Sequence, residues 1–144
     1  MYNYTAAPYK TQQAVQTILR EEYSDGPGGL SGNDDAGQMS AWYLFAAMGF
    51  YPLNPVSDEY ILCTPLFNKI TLNLRDKRQL VISCKRQSAT AMYIASIKWN
   101  GKLYDKNFIR YADIMKGGLV EITLVDIPTK WGSENKCRPS SLTK

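Results

Sequence analysis

A chain of 144 residues that is 44% hydrophobic and 12% aromatic can bury a core of its own, which excludes a disordered linker or a low-complexity tail. Seventeen basic and thirteen acidic residues leave a formal charge of +4, but the basic ones are scattered, with Lys85-Arg86 and Lys136-Cys137-Arg138 the densest spots, and no aromatic-basic stripe accompanies them; this argues against a nucleic-acid partner. The chain has no histidine and three widely spaced cysteines, Cys63, Cys84 and Cys137, which excludes a His-based triad or a zinc site built by this chain alone.

The first residues, Met1-Tyr2-Asn3-Tyr4-Thr5, lack the basic start and apolar stretch of a signal peptide, so either the chain is cytosolic or its true beginning lies upstream. No segment reaches the ~18 apolar residues that a membrane span needs. Between Thr11 and Tyr23, Val15, Ile18 and Leu19 fall on one side and Gln12, Gln16, Arg20 and Glu21 largely elsewhere, which predicts an amphipathic helix with Pro8 in its first turn. Tyr2, Tyr4 and Tyr9 are read as pocket lining or as packing against further structure.

From Gly37 to Phe50 the apolar residues run nearly all round a helix: Met39, Trp42, Tyr43, Ala46 and Ala47 on one face, Ala41, Leu44, Phe45 and Met48 on the other. Such a helix is normally buried, and 144 residues offer few elements to surround it, a first sign of a piece of something larger. Gly49 and Pro52 end it, and a turn carrying Asn54, Pro55, Ser57 and Asp58 follows.

Period 2 then takes over. Strands are predicted over Glu59 to Thr64, Lys69 to Leu74, Gln79 to Lys85, Tyr93 to Trp99 and Leu119 to Val125, with Asn100-Gly101 as a tight hairpin turn and Gly117-Gly118 as another. Short strands at regular spacing suggest an antiparallel, sandwich-like unit. Cys63 and Cys84 lie in apolar strands and read as buried free thiols, with a disulfide between them left open. The polar stretch from Gly132 to Lys144 reads as an extended or disordered tail.

The densest chemistry lies just before the second helix, where Gly29-Leu30-Ser31-Gly32-Asn33-Asp34-Asp35-Ala36-Gly37-Gln38 sets two adjacent carboxylates and an amide on a glycine-rich loop. Asp35 and Gln38 have capping-box spacing, so Asp35 can serve simply as a cap. The same helix start favours an ionised carboxylate, the form a general base must have. Two neighbouring aspartates repel when both face one pocket, so one caps or coordinates while the other does chemistry, and spacing alone leaves open which. An EF-hand loop does not fit, because Asn33, Asp34 and Asp35 do not alternate, and no P-loop lysine follows the glycines. Trp42 and Tyr43 fit core packing better than sugar stacking.

Tyr4, Pro8, Lys10-Thr11-Gln12, the run from Gly29 to Tyr43, and Gly49-Phe50-Tyr51-Pro52 together resemble the C-terminal part of glycoside hydrolase family 92, the calcium-dependent exo-acting α-mannosidases. Pro65-Leu66-Phe67, Asn100-Gly101-Lys102 and Met115-Lys116-Gly117-Gly118 extend the resemblance, which spans roughly Tyr4 to Gly132. It implies an α+β chain: terminal helices of an (α/α)6 barrel over residues 1–51, a C-terminal antiparallel β-rich domain over 52–132, and a tail over 133–144.

It further implies an inverting reaction on mannose-containing oligosaccharides or N-glycans, α-1,2-linked, in a secreted or cell-envelope enzyme. In such a reaction one group protonates the leaving oxygen and a base activates water on the opposite face, about 6.5 to 9.5 Å away. Carried over by position, Asp35 matches the base, Asp34 is a catalytic neighbour that orients or caps, and Asn33 and Gln38 contact substrate. Asn33 departs from the aspartate often found at its position. The acid and most calcium ligands fall upstream of Met1, so the calcium ligands are not assigned here, and the isolated chain is expected to be inactive. The alternative is a noncatalytic carbohydrate-binding or structural β-rich module.

Overall fold

The computed structural model describes residues 2–141. Three α-helices and eight strands follow one another as α1 (Pro8–Glu21), α2 (Gln38–Met48), β1 (Phe50–Tyr51), β2 (Glu59–Leu62), β3 (Lys69–Asn73), β4 (Gln79–Arg86), β5 (Tyr93–Trp99), β6 (Lys102–Tyr104), β7 (Phe108–Arg110), α3 (Tyr111–Lys116) and β8 (Gly118–Val125). The class is α+β.

The strands form two sheets. One is a small antiparallel sheet in the order β1-β2-β7, and the other has five strands in the order β3-β4-β8-β5-β6. The larger sheet corrects the antiparallel expectation: β4 and β8 run parallel from Leu80↔Gly118 to Arg86↔Leu124, while the other pairs are antiparallel. Period-2 alternation assigns faces and is blind to strand direction, so it could not reveal this. A common core takes Phe50, Leu62 and Ile109 from the small sheet and Leu80, Ile82, Ile94, Ile97, Val120, Ile122 and Leu124 from the large one.

The tight turns hold for stated reasons. Asn100 (φ 48°) and Gly101 (φ 78°) supply the two positive-φ residues of the β5-β6 hairpin. Gly117 (φ 75°) leaves α3 so close to β4 that a Cβ would lie 2.4 Å from the Gln79 carbonyl oxygen. Only glycine fits there.

Helix α1 overturns its predicted orientation. Pro8 does open it, but Gln12 and Gln16 are buried along with Leu19, whereas Ile18 is exposed. The polar face points inward because it has partners: Gln12 Oε1 accepts from the Ile94 amide at 2.9 Å, and Gln16 Nε2 donates to the Thr64 carbonyl at 2.9 Å. A buried backbone group left without a partner costs about 1–3 kcal/mol, so each glutamine stabilises the seam between α1 and the sheets.

Residues 133–141 are packed rather than loose, which corrects the reading of that stretch; residues 142–144 lie outside the described residues. A short 3-10 turn at Asn135–Cys137 buries Cys137, whose carbonyl accepts from the Asn107 amide at 2.8 Å. Ser140 donates from N (2.7 Å) and Oγ (3.0 Å) to the buried Glu59 carboxylate. Asn107 Nδ2 donates to the carbonyls of Asn3 (2.9 Å) and Gly132 (2.8 Å), and Asn3 Nδ2 to those of Leu62 (3.0 Å) and Asn107 (2.9 Å). Both ends of the chain are thus tied to β2 and the β6-β7 connection.

All three cysteines are free thiols. Burial pushes the Cys63 thiol up to about 12 and the Cys84 thiol to about 11, and raises that of Cys137, so none is an activated nucleophile.

Candidate active site

The acidic loop enters α2 through three successive left-handed residues, Asp35 (φ 43°), Ala36 (φ 61°) and Gly37 (φ 88°). Glycine takes this conformation freely, but for Asp35 and Ala36 it costs about 1–2 kcal/mol each. Something must hold them there.

Asp34 is the anchor. Its carbonyl accepts from the amides of Gln38 (2.8 Å) and Met39 (3.4 Å), and its carboxylate takes the Ser40 amide on Oδ1 (2.9 Å) and the Ser40 hydroxyl on Oδ2 (3.0 Å). The capping box expected between Asp35 and Gln38 is therefore not formed: Gly37 is the cap position and Asp34 satisfies the helix amides. The left-handed run turns Asp35 away from the helix start and leaves the preceding carboxylate to face it.

Asp35 is exposed, and among the described residues its carboxylate accepts no hydrogen bond. The side chains of Asn33 and Gln38 are likewise exposed and unpartnered among the described residues. All four residues singled out in the sequence thus share one surface, with Asp34 bound and the other three presented outward.

Beside the loop lies an open cleft of about 460 Å³ lined by Tyr23, Ser24, Asp25, Gly29, Leu30, Ser40, Tyr43 and Leu44. Its far wall is a turn after α1, closed by a Tyr23↔Leu30 bridge and by Ser24 donating its amide to the Gly29 carbonyl at 2.9 Å. Gly29 cannot be replaced simply, because a Cβ would sit 2.2 Å from the Ser24 carbonyl oxygen. Its role is steric, and no phosphate cradle is needed to explain it.

Tyr23 binds the two walls together. Its ring stacks on Trp42 (centroids 5.8 Å, 11° between planes) and tilts against Tyr43 (5.0 Å), and its hydroxyl donates to the Met39 carbonyl at 3.2 Å. Burial, then the charges of Asp34 and Glu22, raise its pKa, so it stays a neutral donor. Trp42 and Tyr43 are spent on this cluster, in keeping with packing rather than sugar stacking. Helix α2 nonetheless shows Leu44 at 61% exposure, so the face expected to be buried is open in this chain.

Sequence reasoning missed Ser40 and Tyr23. Ser40 lies six residues after Asp34, outside the three-residue capping-box spacing, and Tyr23 reaches the site only through the fold.

Calcium does not fit the residues present. Both oxygens of Asp34 are occupied by Ser40, and among the described residues no three His, Cys, Asp or Glu side chains converge as a metal shell would require.

Comparison with known proteins agrees with this α+β scaffold and its loop. The family model described as the Glycosyl hydrolase family 92 catalytic domain matches residues 1–126, and the chain belongs to that family. Among solved structures, a family GH92 inverting mannosidase of Bacteroides thetaiotaomicron superposes with a TM-score of 0.92 at 34% identity, over 99% of this chain and 20% of the other. A family GH92 α-mannosidase of the same organism, in complex with mannoimidazole, gives a TM-score of 0.92 at 34% identity, over 98% of this chain and 19% of the other. A protein described as an uncharacterized secreted glycosidase of Arthroderma benhamiae is 30% identical over 99% of this chain and 19% of its own length. The chain thus spans about a fifth of the length of each of these relatives.

Proposed function

We propose that this chain is the C-terminal segment of an inverting exo-α-mannosidase that removes terminal α-1,2-linked mannose from mannose-rich oligosaccharides or N-glycans, and that it supplies the general base. The observation that carries the reading is the division of labour in the acidic loop: Asp34 is held at both carboxylate oxygens while Asp35 is exposed and unbonded.

On this reading Asp35 takes a proton from a water whose oxygen attacks the anomeric carbon. The bond from that carbon to the leaving oxygen breaks on the opposite face, and an acid elsewhere in the longer polypeptide returns a proton to the leaving oxygen. Asp34 sets the loop conformation. Asn33 and Gln38, whose amides point outward beside Asp35, hydrogen-bond the sugar or the water. Residues 1–51 form the end of the catalytic barrel, residues 52–132 the β-rich domain that supports it, and 133–144 a closing strap. The inverting mannosidase and α-mannosidase among the relatives support the substrate class, and the secreted relative supports export or an envelope location. Calcium belongs to this scheme through the family, with its ligands mainly outside this chain.

The test is Asp35→Asn in the longer polypeptide. General-base catalysis contributes ~10² to 10⁴-fold, so kcat should fall by that range. A near-normal kcat removes Asp35 as the base, and mannose release by the 144-residue chain alone removes the claim that the acid lies elsewhere.

A further inference from the structure

We infer that Ser40 is a positioning residue for the hydrolytic step, acting on Asp35 through Asp34; this rests on the reading of Asp35 as the base. Ser40 is the one residue that bonds both oxygens of the Asp34 carboxylate, amide to Oδ1 at 2.9 Å and hydroxyl to Oδ2 at 3.0 Å. A carboxylate gripped at both oxygens cannot rotate, and Asp34 is covalently joined to Asp35. Its carbonyl is fixed as well, by the Gln38 amide at 2.8 Å. The next three residues are left-handed, and two of them are not glycine. Without the grip of Ser40, Asp35 and Ala36 are free to relax toward ordinary φ values, and that relaxation swings the Asp35 carboxylate.

Ser40 is itself held from behind. Its neighbour Met39 accepts the Tyr23 hydroxyl at 3.2 Å, and Tyr23 packs on Trp42 and Tyr43. The strap therefore runs from an aromatic cluster through Ser40 and Asp34 to Asp35. Ser40 also lines the 460 Å³ cleft, so the group that fixes the loop forms part of the wall beside it. It touches neither the reacting carbon nor the water.

The experiment uses three variants of the longer polypeptide, with kcat and KM measured separately on an α-mannoside. Ser40→Ala removes the hydroxyl grip and is expected to lower kcat ~10-fold with KM within about twofold, because small misplacement of a catalytic group acts on the chemical step. Ser40→Thr keeps the hydroxyl and is expected to restore kcat to within about twofold. Ser40 is exposed, so both variants should melt within a few degrees of the parent. An unchanged kcat in Ser40→Ala, a parallel change of kcat and KM, or a Ser40→Thr as impaired as the alanine variant overturns the inference. Asp35→Asn separates the two failures: a large loss there with a normal Ser40→Ala sinks only the positioning role, whereas a near-normal Asp35→Asn sinks the reading beneath it.

Discussion

The acidic loop and the β-rich half stabilise their polar groups in opposite ways. In the β-rich half Gln12, Gln16, Asn3 and Asn107 are all buried, and each gives its side chain to a backbone partner across more than forty residues of sequence. In the loop, Asn33, Asp35 and Gln38 stand outward with no such partner among the described residues, and the backbone takes left-handed turns at Asp35 and Ala36. Where strain and unsatisfied polar groups coincide on an otherwise well-bonded scaffold, function is the natural reason to keep them. The rigid half is what allows the loop to be held at all.

That contrast can be broken by substitution. The largest stability effect is expected at Asn107→Ala, which strands the Asn3 and Gly132 carbonyls; chemical denaturation should show a loss of about 3 kcal/mol or more. A loss below about 0.5 kcal/mol would mean that the buried amide network does not tie the chain ends together. Gln12→Ala, which strands the Ile94 amide, should cost about 2 kcal/mol by the same measurement. In the loop the pattern reverses, and Asp35→Asn should change stability by no more than about 0.5 kcal/mol in this chain, since nothing else leans on that carboxylate.

A further prediction concerns alkaline pH. The folded thiols of Cys63 and Cys84 ionise only near about 12 and about 11, against an ordinary value of 9.0 in the unfolded chain. The raised folded value favours the protonated form, so the stability they contribute is complete below pH 9 and is lost as pH rises toward 11 or 12. Denaturation midpoints should fall steadily above pH 9, and iodoacetamide at pH 8 should modify Cys63 only once the chain is unfolded. Prompt alkylation of native Cys63 would contradict its burial. The smallest effect is expected at Leu44→Ser, within about 0.5 kcal/mol in this chain, because its side chain is largely in water already.

Much of this was legible in the sequence. Periodicity located the strands from Glu59 onward to within a residue or two, and Asn100-Gly101 specified its own turn. The parallel pairing of β4 with β8 was not legible, because residues that alternate inward and outward do so whichever way the neighbour runs. Helix α1 misled for a different reason: glutamine counts as polar in any pattern, yet here it points inward because backbone groups of Ile94 and Thr64 needed partners. The tail misled similarly, since a polar composition says nothing of a buried Glu59 waiting for Ser140.

The candidate site divides along the same line. Asn33, Asp34, Asp35 and Gln38 were readable as a local run, because a loop of ten residues keeps its members together in any fold. The assignment of the cap was not, because it depended on Ser40 reaching back six residues across a left-handed turn. Tyr23 was out of reach altogether, since only the bridge to Leu30 brings it beside α2.

The most direct test of the central claim is azide rescue of Asp35→Ala in the longer polypeptide. Azide needs no base, so if Asp35 activates water the variant should lose ~10² to 10⁴-fold in kcat, and added azide should restore turnover while giving the β-mannosyl azide expected of attack opposite the leaving group. Near-normal hydrolysis by the variant without azide would contradict the account.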